Sequence, residues 1–143
     1  MMTRLFSLLL TVLTFSSCPS SAQNAVNIDE FEKKIKDPGV QILDVRTMGE
    51  YNSGYIKNSL QADWNNPAQF DDRTQHLDKS RPVYVYCASG VRSDKAAAAL
   101  RAKGYNAVNM EGGLNAWKKA GKPLVGATDQ GKLSGDDYNK YTN

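Results

Sequence analysis

From residue 25 onward, short apolar runs alternate with stretches whose apolar residues return at helical spacing, which predicts strands and helices in turn. Val26 closes a short first strand. Asn27 then caps a helix whose Ile28, Phe31 and Ile35 share one face, with Glu30 where a capping box wants it, and Asp37-Pro38-Gly39 ends that helix. Val40 to Val45 reads as a buried strand. Thr47, with Glu50 three residues on, opens a short helix that stops at Gly54. A strand over Ser59 to Ala62 precedes a helix led by Asn66-Pro67, because proline suits the first helical position.

Pro82 introduces Val83-Tyr84-Val85-Tyr86, a strong β run that ends at Cys87. Arg92 to Lys103 is Ala-rich and helical, closed by Gly104. Ala107 to Met110 forms a last strand and Leu114 to Lys119 a last helix, stopped by Gly121 and Pro123. A strand–helix alternation of this kind predicts an α/β fold: a small five-stranded parallel sheet flanked by helices on both faces, over residues 25–123. Residues 124–143 are polar and read as a tail.

The N-terminal pattern is different. One positive charge at Arg4 precedes an apolar stretch from Leu5 to Phe15, which falls short of the ~20 residues that span a bilayer as a helix. It fits a secretory leader. Two processing signals compete. Ser20-Ser21-Ala22 suits an ordinary signal peptidase and would remove residues 1–22. Phe15-Ser16-Ser17-Cys18 resembles a bacterial lipoprotein box, which would remove residues 1–17 and leave Cys18 lipidated as a membrane tether. Both predict an exported protein of a bacterium, periplasmic or anchored to a membrane.

Composition narrows the chemistry. The chain has 143 residues, enough for one domain. A net charge of +3 is too small to argue for nucleic acid. One histidine and two cysteines give no metal cluster, no C-x-x-C dithiol and no disulfide framework. No heptads or long apolar edge speak to oligomeric state.

Cys87 is the residue that stands out. Ligands of parallel α/β sheets gather at the carboxyl ends of strands, and Cys87 lies at such an end before the run Ala88-Ser89-Gly90-Val91-Arg92-Ser93 enters a helix. Amides of a tight loop can converge on one anion, and Gly90 permits the positive φ that such a nest uses. The helix N-terminus lowers a thiol's pKa, and Arg92 places a positive charge at the rim. The alternative is a small buried hydrophobe that finishes a strand.

Five segments in register carry a resemblance: Leu43-Asp44-Val45-Arg46, Glu50-Tyr51, Gly54-Tyr55-Ile56, Cys87 to Ser93, and Glu111-Gly112-Gly113-Leu114-Asn115-Ala116-Trp117. In this order they resemble the rhodanese-like (sulfurtransferase) family in its single-domain form, over roughly residues 25–123. The resemblance implies that Cys87 takes the outer sulfur of thiosulfate or a similar small anionic donor, holds it as a persulfide, and passes it to cyanide or a thiol without a cofactor. It implies that Ala88, Ser89, Gly90, Val91 and Arg92 bind substrate, with Asp44, Arg46 and Ser93 supporting them, Asp44 and Arg46 as a buried ion pair or loop brace. Arg92 either binds the donor or braces the loop.

There are departures from the family pattern. Tyr55 stands where His is frequent, Asn58-Ser59 where Gly-Ala is frequent, and Ala88 where some thiosulfate-using members carry a cation. The last puts thiosulfate in question as preferred donor. Four residues separate Cys87 from Arg92, whereas related-fold phosphatases and arsenate reductases place five there, so the shorter loop argues for sulfur over phosphate. Two rival readings remain: a sulfur-carrying or sulfide-binding module with little turnover, and a phosphatase-type hydrolase. His76 sits in a polar stretch with no nucleophile elbow and is not expected to act. Trp64 and Trp117 read as core, and Lys33, Lys34 and Lys36 as a solvated helix face.

Overall fold

The computed structural model describes residues 24–126, so both N-terminal processing signals and residues 127–143 lie outside the described part. The elements follow the predicted alternation: β1 (Ala25–Val26), α1 (Ile28–Lys34), β2 (Gln41–Asp44), α2 (Met48–Asn52), β3 (Ser59–Gln61), α3 (Pro67–Thr74), β4 (Val83–Tyr86), α4 (Val91–Ala102), β5 (Ala107–Met110) and α5 (Gly113–Lys119). All strand pairs are parallel, in the order β1-β5-β4-β2-β3.

Alternation along the central strand β4 builds the two halves of the core. Val83 and Val85 face one side with Phe70 of α3 and Ala96, Ala97 and Leu100 of α4. Tyr84 and Tyr86 face the other, with Phe31 of α1 and Leu114 and Trp117 of α5. Helices therefore cover both faces, as a sheet of buried parallel strands requires. The alanines of α4 let that helix lie close on the sheet, whereas on the opposite face Phe31 meets Tyr84, Tyr86 and Trp117 edge-on at 5.7, 6.3 and 6.1 Å.

The helix starts obey local rules. Asn27 and Asn66 accept from the amides of Glu30 and Gln69, and Thr47 forms a full capping box with Glu50. Helices α4 and α5 begin instead on Gly90 and Gly112, without a side-chain cap. Their first amides are free for other partners, and both starts lie at the functional end of the sheet.

The structure shifts several predicted bounds by one residue: β2 stops at Asp44, although the Val45 amide still donates to Tyr86 O, and α4 begins at Val91. Beyond residue 123, Val125 and Tyr55 exchange two backbone bonds of 2.8 and 3.0 Å, so the first described residues of the polar tail pack back on the domain. Trp64 packs edge-on against Phe70, while His76 and the three lysines of the first helical segment are exposed.

Candidate active site

Cys87 leaves β4 at its carboxyl end and is fully buried. The chain then turns through Ala88 and Ser89 into Gly90, whose φ of +93° a side chain would resist. That turn brings the Gly90 amide to 3.1 Å from Cys87 Sγ, and Ser93, one helical turn on, donates its hydroxyl to the same sulfur at 3.4 Å. Burial pushes the thiol up. The Ser93 hydroxyl and the amides of Ser93, Ser89 and Gly90 outweigh burial, and the thiol lies below its ordinary value. A thiolate held by neutral donors at a helix start is a ready nucleophile.

The loop is fixed from behind by α5. Leu114 N–H donates to Cys87 O at 2.8 Å and Asn115 N–H to Ala88 O at 2.9 Å, so the carbonyls of the loop cap the helix. Gly113 makes this approach possible. A Cβ there would stand 2.6 Å from Cys87 O and 2.7 Å from both C and O of Ala88. Asn109, a buried polar residue in β5, adds a long bond of 3.4 Å from Nδ2 to Gly90 O, and its Oδ1 has no partner among the described residues.

Arg92 turns its guanidinium onto Glu50 of α2, with Nη1 at 2.9 Å from Oε2 and Nη2 at 2.7 Å from Oε1. The fork holds the Glu50 carboxyl down, to a pKa of about 2, and the carboxylate in turn raises Arg92. The charge of a Cys87 thiolate raises Arg92 further.

Asp44 and Arg46 form a fully buried pair with N–O distances of 2.6 to 3.0 Å, and Arg46 Nη2 donates to Gly54 O at 2.8 Å. They tie the end of β2 to the turn after α2. Burial disfavours the charge on Arg46, and Asp44 more than restores it, so that group lies above its usual range.

Val91 is 60% exposed and borders a shallow groove of about 340 Å³ between Ser89, Asp94 and Lys95 on one side and Asn109 and Glu111 on the other. Cys87 is not among its walls. Of the residues picked out in the sequence, Cys87, Ser89, Gly90, Arg92 and Ser93 come together at the sulfur, Ala88 holds α5, and Val91 points outward. Asp44 and Arg46 lie at the neighbouring strand end.

Three further contributors do not stand out as site residues in the sequence. Glu50 carries only a capping signature locally, and its partner is 42 positions away. Asn109 has a signal, a lone polar side chain in an apolar strand. Gly113 has one too, a second glycine directly before a helix, which no local turn explains.

Comparison with known proteins gives the family. The family model for the rhodanese-like domain matches residues 27–120. A sulfurtransferase of Allochromatium vinosum is 34% identical over 104 residues, spanning 71% of this chain and 94% of that protein. The tRNA uridine(34) hydroxylase of Pelagibacter ubique is 31% identical over 99 residues; the match takes in 68% of this chain but only 33% of the hydroxylase. A rhodanese-related protein from Thermoplasma volcanium superposes with a TM-score of 0.65 at 30% identity, over 72% of this chain and 98% of that one. The chain belongs to the rhodanese-like domain family.

Proposed function

We propose that the protein is a sulfurtransferase working through a Cys87 persulfide. The observation that carries the reading is the sulfur of Cys87 at the end of β4, held by the Gly90 amide and the Ser93 hydroxyl with its thiol below the ordinary value. Likeness to a curated sulfurtransferase over nearly its whole length supports it.

With thiosulfate as donor, the Cys87 thiolate attacks the outer sulfur and a new S–S bond forms. The old S–S bond breaks and sulfite leaves with its electron pair. Cyanide or a thiolate then attacks the outer sulfur of the persulfide, and the Cys87 thiolate is the leaving group. The loop amides stabilise the anionic sulfur in both stages without reorganising. Ala88, Ser89, Gly90, Val91 and Arg92 form the donor-binding loop in this reading, and the four-residue spacing between Cys87 and Arg92 supports sulfur over phosphate.

Intact mass measured after incubation with a sulfane donor tests the proposal. Gain of one sulfur atom by the native chain, lost on addition of cyanide and absent from Cys87→Ser, is expected. Failure to gain sulfur from any sulfane donor would sink it. Charging without repeated turnover would favour a carrier module, and phosphate release from a model ester a hydrolase.

The leader pattern of residues 1–22 supports export, to the periplasm or to a lipid anchor at Cys18. The mass of the mature N-terminus decides between them, and an unprocessed N-terminus in cells overturns export.

A further inference from the structure

The guanidinium of Arg92 is the one positive side chain in the 87–93 turn, and it is not free. Both of its terminal nitrogens bond Glu50, and the two side chains are only 24% and 35% exposed. Glu50 is itself held, since its Oε2 accepts from the amide and hydroxyl of Thr47 at 3.0 Å each. The pair is neutral as a unit. The rest of the turn, Ala88 to Val91, brings no charge. Arg46, the next cation along the sheet end, is consumed by Asp44 and Gly54 O. Along the outer flank of the loop Asp94 and Glu111 outnumber Lys95.

This charge balance distinguishes between donors. Attack on thiosulfate gathers the thiolate and a dianion at one point, three negative charges in all, with no uncompensated cation beside them. Attack on a protonated alkyl persulfide gathers one. There the Cys87 thiolate attacks the terminal sulfur of R–S–SH, the S–S bond of the donor breaks, and R–S⁻ leaves as the new persulfide carries the proton. Amide and hydroxyl donors suffice for a single charge, whereas a dianion calls for a fixed counter-charge.

Resting on the sulfurtransferase reading, we infer that Glu50 is a specificity-determining residue: by clamping Arg92 it tunes the site to low-charge sulfane donors of the alkyl persulfide class and against dianionic thiosulfate. Glu50→Gln tests this, because glutamine also completes a capping box and so retains the start of α2. The second-order rate of Cys87 charging is followed by quenched intact mass, with thiosulfate and with ethyl hydropersulfide. The native chain should charge faster from the persulfide. In Glu50→Gln the ratio of thiosulfate to persulfide rates should rise about tenfold, as a released guanidinium attracts the dianion.

A ratio unmoved by the substitution, both rates falling alike, would reduce Glu50 to a brace and overturn the inference. So would a native chain that charges at least as fast from thiosulfate. Ionic strength gives a check without any variant: between about 20 and 200 mM salt the native thiosulfate rate should change less than about twofold. A steep fall would reveal an uncompensated cation and overturn the clamp. Failure to charge from either donor would take down the sulfurtransferase reading itself.

Discussion

Adding one methyl group at Gly113 should damage the thiol without touching it. The new Cβ would meet Cys87 O at 2.6 Å and the C and O of Ala88 at 2.7 Å, all backbone atoms that no side-chain rotation can clear. Gly113 also has φ +57°, which costs a side chain about 1 kcal/mol wherever it occurs. Gly121 supplies the control: its φ is +69°, and nothing lies within 4 Å of a Cβ built there. Gly121→Ala should therefore cost only the conformational term.

Gly113→Ala adds overpacking, worth roughly 1–3 kcal/mol, for a total of about 2–4 kcal/mol. Relief requires the loop and α5 to part, which lengthens the 2.8 and 2.9 Å bonds from Leu114 and Asn115 and turns the amides of the loop away from Sγ. Urea unfolding measures the first effect, and the pH dependence of Cys87 alkylation by iodoacetamide the second. Equal stability of the two variants, or an unmoved thiol pKa in Gly113→Ala, would refute the claim that α5 holds the loop in place.

Ser93→Ala removes the hydroxyl that donates to Sγ, so the thiol pKa should rise and alkylation below that pKa slow about three- to tenfold. The Glu50 carboxyl falls from its ordinary 4.5 to about 2 in the fold. A depressed acid stabilises the fold above its unfolded pKa and loses that contribution as pH drops through the folded value. The native chain should thus lose about 1 kcal/mol, after solvent screening of a part-exposed pair, between about pH 4.5 and 2, and Glu50→Gln should lack that component in urea titrations. Asp44→Asn leaves the Arg46 guanidinium buried without a counter-charge and should cost about 3–5 kcal/mol, whereas Asp44→Leu combined with Arg46→Met should recover a large part.

What the sequence reveals divides along physical range. Thr47 and Glu50 are three residues apart, so their capping box is legible in the sequence alone, as are Pro67 at a helix start and the alternation of Val83 to Tyr86. The same holds for Cys87 and its turn, since a strand end, a glycine and a helix start are contiguous. Strand order is another matter. Nothing local states that β2 lies between β4 and β3, or that α2 therefore reaches α4, so the Glu50–Arg92 pair has no local signal. Arg92 accordingly reads as a positive charge at the rim that either binds the donor or braces the loop, with no partner named. The doubled glycine at 112–113 marks a position, but the reason for it is not local, because the need for a missing side chain at Gly113 arises from a carbonyl 26 positions earlier. Val91 reads as part of the binding loop, and its 60% exposure comes from its place as the first residue of α4, facing away from the sheet.

The peptide geometry of the turn explains how α5 governs a sulfur whose hydrogen bonds come from outside that helix. In a trans peptide the C=O of one residue and the N–H of the next point in opposite directions. When Asn115 N–H fixes the carbonyl of Ala88, the amide of Ser89 is thereby aimed the other way, towards the thiol it helps to depress. The Ala88–Ser89 peptide unit thus does two things: its oxygen accepts from the otherwise uncapped start of α5, and its nitrogen serves Cys87. Neutral dipoles of this kind suit a buried thiolate better than a lysine or free arginine would. They lower its pKa with no ion to desolvate, and they leave no counter-charge to bind the departing product. With Arg92 neutralised by Glu50, the activation of Cys87 rests on the Ser93 hydroxyl and on backbone amides, of which that of Ser89 takes its direction from α5, and the requirement for glycine at position 113 follows from that arrangement.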